Sequence, residues 1–89
     1  MKKLKIGAEL QKREDVINLI LELVERSDEF QASLIKKLTR NYTMGSPLRL
    51  LDKQIDQMVD DVLYDLMFKN KIVCDCGIFV KVKNVNNSL

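Results

Sequence analysis

Apolar residues recur every three or four positions in three stretches of this chain and alternate in a fourth. From about Gln11 to Arg26, Val16, Ile17, Ile20, Leu23 and Val24 keep the period of an amphipathic helix. Glu14 and Asp15 fall in or near its first turn, where acids favour the helix dipole. Ser27-Asp28 breaks the pattern, and Asp28 with Gln31 resembles a capping box for a second helix. That helix is expected to reach about Arg40, with Phe30, Leu34, Ile35 and Leu38 inward and Lys36, Lys37 and Arg40 outward.

A polar connection, Asn41 to Pro47, leads to the longest pattern. Gly45-Ser46-Pro47 reads as a helix start: a flexible glycine, a serine cap, then proline at the first helical position. Leu48, Leu51, Ile55, Met58, Val59, Val62, Leu63 and Leu66 then form one broad stripe of a third helix over Ser46 to Phe68. Leu50, Tyr64 and Phe68, with Gln57 between them, make a thinner stripe roughly opposite. A helix that is apolar on two sides needs two covers. The first is the chain's own core, and the second is expected to be a partner subunit.

Beyond Lys71 the period falls to two. Lys71 to Cys74 and Ile78 to Lys83 are rich in strand formers, and Asp75-Cys76-Gly77 fits a three-residue hairpin loop. The expected fold is mainly α with a small β-hairpin: helix, helix, long third helix, two strands. Residues 1–10 would be a basic arm or a short edge strand, 11–83 the folded domain, and 84–89 a flexible tail.

At 89 residues the chain makes one small domain, and 46% hydrophobic with 31% charged residues is an ordinary globular composition. The longest apolar run, Val16 to Val24, is interrupted by Asn18 and Glu22, so no membrane span is expected. The basic N-terminus lacks an apolar follow-on, and two cysteines fit a reducing cytoplasm. Cys74 and Cys76 read as free thiols, Cys74 partly buried; zinc would need ligands shared between chains. With no histidine, no nucleophile beside a base and no glycine-rich phosphate loop, an enzyme is not expected, nor is a cofactor or metal.

Net charge is only +2, but it is strongly patterned. Residues 1–13 carry five basic and one acidic side chain, and residues 14–29 one basic and six acidic. Residues 36–53 carry five basic and one acidic, residues 56–65 four aspartates, and residues 69–83 four lysines and one aspartate. A small net charge can therefore conceal a basic face. Lys36, Lys37, Arg40, Arg49, Lys53, Lys81 and Lys83 are the candidates to neutralise phosphates, with Ser46 and Arg49 closest to backbone or base edges. Asp52, Asp56 and Asp60 form an i, i+4, i+8 ladder that disfavours its own helix, and relief is expected from the N-terminal lysines or a second subunit.

Element order, and the run Leu63-Tyr64-Asp65-Leu66-Met67 followed by Lys69-Asn70-Lys71-Ile72-Val73, resemble a winged helix-turn-helix domain over residues 11–83. The resemblance implies double-stranded DNA as ligand, with the start of the third helix in the major groove and the hairpin as wing. Size, element order and a basic start to the third helix are also similar to the centromere-binding adaptors of tubulin-like plasmid and phage partition systems. That likeness implies a homodimer built on the third helix through Leu50, Gln57, Tyr64 and Phe68, and a tubulin-like GTPase as partner. Transcriptional repression fits the same features, and so does a winged-helix adaptor that binds protein and no DNA.

Overall fold

A computed structural model describes residues 4–82. The three helices are α1 (Arg13–Glu25), α2 (Ala32–Tyr42) and α3 (Asp52–Phe68). A small antiparallel sheet is formed by β1 (Glu29–Phe30), β2 (Ile72–Asp75) and β3 (Ile78–Lys81), in the order β1-β3-β2. The fold is mainly helical. Its core gathers Val16, Ile20 and Val24 of α1, Ile35 of α2, and Val59, Val62 and Leu63 of α3, closed at one end by Phe30 and Ile72. Phe30 sits opposite Phe79 across β1 and β3, and their rings stack with centroids 5.4 Å apart.

The sheet has one strand more than the alternation indicates. Glu29 and Phe30 are not the first turn of α2; they pair with Val80 and Phe79. Helix α2 starts later, after Gln31, so Asp28 does not cap it. Leu34 consequently faces outward, while Ile35 is fully buried and Leu38 packs against the core. The hairpin loop has two residues, because Asp75 pairs with Ile78. Cys76 and Gly77 both have positive φ, 54° and 81°, as a type I′ turn requires. Both cysteines are free and exposed, Cys74 included.

The start of α3 also differs from its sequence signature. The hydroxyl of Ser46 does not cap it. It donates to the Leu10 carbonyl at 2.6 Å and accepts from the Leu48 amide at 3.2 Å. Pro47 and Leu48 form a turn closed by the Arg49 amide on the Ser46 carbonyl. Arg49 then adopts φ 53°, which halts any helix running through it. Leu48 and Leu50 pack on the core, whereas Leu51 is exposed. Helix α3 begins at Asp52, where the Leu51 amide donates to Gln54 Oε1 at 2.8 Å. At its far end Asn70 (φ 59°) forms a Schellman stop, with Lys71 N–H on Leu66 C=O and Asn70 N–H on Met67 C=O.

Residues 4–10 are neither strand nor free arm. They include a 3-10 turn, Gly7–Glu9, that lies on the α2–α3 connection. A Cβ on Gly7 would stand 3.3 Å from the Met44 carbonyl, and one on Gly45 would stand 4.0 Å from Gly7 Cα. The two backbones thus approach closely where both glycines hold positive φ. Leu10 is fully buried, a burial that contributes about 1.5–3 kcal/mol. Lys83, Met1 to Lys3 and the tail 84–89 lie outside the described residues.

Asp15 ties this segment to α1. Its Oδ2 accepts from the amides of Gln11 and Lys12, each at 3.0 Å, and its Oδ1 lies 3.4 Å from Lys5 Nζ. These hydrogen bonds, the Gln11 amide first, hold the carboxyl below the ordinary value of 3.8. A carboxyl so lowered stabilises the fold fully above the ordinary aspartate range, and the contribution disappears as pH falls through its folded-state value. Asp15→Asn is therefore expected to lower the urea midpoint at neutral pH and to shrink the gap to wild type on acidification. A gap unchanged down to acid pH contradicts this account.

Candidate nucleic-acid interface

Helices α2 and α3 carry opposite charge. Helix α2 presents Lys36, Lys37 and Arg40 with no acid, while α3 holds five aspartates and Lys53 alone as cation. Their packing brings residues 36 and 40 beside 60 and 56. Arg40 Nε donates to Asp56 Oδ1 at 3.0 Å, and Lys36 Nζ stands 3.0 Å from Asp60 Oδ1. The pairs are partly shielded from water, with Lys36 only 24% exposed. The aspartate ladder is thus relieved from within the chain, by α2. The signal was available: cations spaced i, i+4 on one helix match acids spaced i, i+4 on the next.

The third candidate cation so engaged is Lys81. Its Nζ donates to the Glu25 carbonyl at 2.6 Å, at the C-terminal end of α1 where a positive charge suits the dipole, and lies 4.0 Å from Asp28. This hairpin lysine therefore points back at the domain. Ser46 is turned inward, its hydroxyl held between the Leu10 carbonyl and the Leu48 amide.

Lys37, Arg49 and Lys53 are exposed and make no ion pair with another described residue. Lys12, Arg13 and Lys71 are likewise exposed and make no ion pair with another described residue. Lys37 lies on α2 next to Lys36, while Arg49 on the connection and Lys53 in the first turn of α3 put open positive charge at the entry to that helix. Further along, the exposed side chains Asp60, Asp61 and Asp65 make that helix acidic. Arg49 stands out because its backbone occupies the left-handed region, which costs a non-glycine residue about 1–2 kcal/mol.

Of the second stripe, Tyr64 and Phe68 are 75% and 86% exposed. Gln57 is also exposed, its Nε2 donating to Asp61 Oδ1 at 2.9 Å. Leu50 precedes α3 and packs on the core, so it does not belong to that face. No group of three or more His, Cys, Asp or Glu among the described residues is arranged to hold a metal ion. No helix among them is long and apolar enough to cross a membrane. No protein-family model matches the chain, and no curated protein or solved structure matches it either.

The seam between α2 and α3 gives a direct test. A double-mutant cycle with Arg40→Ala and Asp56→Ala, read by urea unfolding, is expected to return a coupling of about 0.2–1 kcal/mol that declines with added salt. Zero coupling at low salt removes the pair from the account.

Proposed function

We propose that this protein binds double-stranded DNA as a homodimer of winged-helix domains, in the partition of a plasmid or phage genome or in transcriptional repression. The observation that carries the reading is the order α1-β1-α2-α3-β2-β3 with sheet order β1-β3-β2, together with the open cations at the start of α3. In such an arrangement the first turns of α3 enter the major groove. Lys37 and Lys53 neutralise phosphates, and Arg49 reaches a phosphate or the two acceptors of guanine. The acidic remainder of α3 is repelled by DNA, so the helix approaches end-on. The activity is binding alone. In a partition system the partner would be a tubulin-like GTPase.

Dimerisation supplies what one protomer lacks. Three cations are a small footprint, and a two-fold axis that sets two α3 starts side by side doubles it. Tyr64 and Phe68, one turn apart and both open to solvent, are the surface that supports such a contact. The engagement of Lys36, Arg40 and Lys81 with carboxylate or carbonyl oxygens supports a second reading, a winged-helix adaptor that binds protein and no DNA.

A mobility-shift titration over a salt series separates the two. DNA binding is expected to weaken steeply with salt, with Arg49→Ala and Lys53→Ala each lowering the log–log slope by about one per protomer. Absence of any shift at low salt favours the adaptor. In sedimentation, Tyr64→Glu with Phe68→Glu is expected to convert a dimer to monomers, because the contact would then bury charge. A dimer that survives both changes places the interface elsewhere.

A further inference from the structure

On the face formed by α1 and α3 the protein has an apolar cleft of about 200 Å³. Its floor and walls are Ile17, Leu21, Met58 and Val62, and its rim is Asp61 and Asp65. Ile17 and Leu21, one turn apart on α1, are each more than a third exposed. Both cleft walls repeat at i, i+4: Ile17 and Leu21 on α1, Asp61 and Asp65 on α3. Leu21 also lines a second hollow of about 660 Å³, which adds Asp15, Asn18, Glu22 and Glu25. Among the described residues the only cation lining either hollow is Lys5, and it faces Asp15.

We infer that this cleft docks a basic amphipathic helix of a partner protein. Charge selects the occupant. A neutral or acidic helix would bring its flanks against Asp61, Asp65, Glu22 and Glu25, whereas lysines or arginines one turn apart would pair with them. The existing partners of the rim are displaceable: Lys69 reaches Asp65 at 3.0 Å as an exposed i, i+4 pair, and Gln57 holds Asp61 through one neutral amide. Apolar side chains at i and i+3 or i+4 of the incoming helix would enter between Ile17, Leu21, Met58 and Val62, making a third helix against two. This docking face is distinct from the cations at Lys37, Arg49 and Lys53, and the inference stands whether or not DNA is bound there.

The probe is a fluorescein-labelled synthetic peptide of leucines at helical spacing with lysines elsewhere, compared with a glutamate version and with a version whose leucines are serines. Fluorescence anisotropy with the full chain is expected to show saturable binding of the leucine–lysine peptide only. Ile17→Ser with Leu21→Ser, and separately Asp61→Lys with Asp65→Lys, are each expected to weaken it at least about tenfold. Circular dichroism confirms that the variants fold, and amide chemical-shift changes are expected to centre on the four apolar cleft residues. Mobility shifts with DNA are run on the same variants, so loss of peptide binding and loss of DNA binding are read separately. The inference is overturned by no binding at up to about 1 mM peptide, by equal binding of the leucine and serine peptides, or by variants that bind like wild type. It is also overturned if Ile17→Ser with Leu21→Ser turns a dimer into monomers, since the cleft then holds a second copy.

Discussion

Two ion pairs across the α2–α3 seam decide which charges of this protein remain open to a partner. Arg40 with Asp56 and Lys36 with Asp60 contribute little to stability, since partly exposed pairs are worth about 0–1 kcal/mol each. Their consequence is electrostatic. They neutralise the middle of a helix that would otherwise repel itself and withdraw two cations from α2. On these two helices and their connection, Lys37, Arg49 and Lys53 are left as open cations, and Asp60, Asp61 and Asp65 keep the later part of α3 acidic. Stability comes instead from apolar burial, with Val16, Ile20, Ile35 and Val59 all inaccessible to solvent.

The helices were legible because burial imposes a period that composition cannot hide. Ile55, Met58, Val59, Val62 and Leu63 are buried as their spacing implies, and the alternation after Lys71 does form paired strands. The misplaced start of α3 has a local cause. Here Lys12 and Leu51 precede helices without any side-chain acceptor of their own, and the N3 side chains Asp15 and Gln54 reach back to their amides. Ser46-Pro47 looks more like a start than Leu51 does, but Arg49 in the left-handed region intervenes. Strand β1, at two residues, is too short to show a period, and only its pairing with β3 defines it.

The site was less legible than the fold, for a different reason. Charge blocks give the sign of a segment, but not the contacts its side chains make after packing. Lys36, Arg40 and Lys81 look equivalent to Lys37 and Lys53 in sequence, yet on α2 a rotation of about 100° per residue separates the engaged Lys36 from the open Lys37. Lys81 is engaged because its strand brings it to the end of α1. Leu50 likewise left the exposed stripe once the helix was found to begin after it.

Segregation of charge also bears on how the two proposed partners would share one small domain. A basic patch at one end of α3 attracts polyanion within about a Debye length, some 8 Å at physiological salt. Asp61 and Asp65 lie more than that from Lys53, 8 and 12 residues along at about 1.5 Å each, while Asp56, which is nearer, is paired with Arg40. The two fields therefore act nearly independently, and a basic helix over Ile17 and Leu21 would meet the acidic one alone. The aspartates run along the whole of α3, so it is the pairing of Asp56 and Asp60 with α2 that separates the two fields. Concentrating the seam pairs at Asp56 and Asp60 places the neutral zone between them.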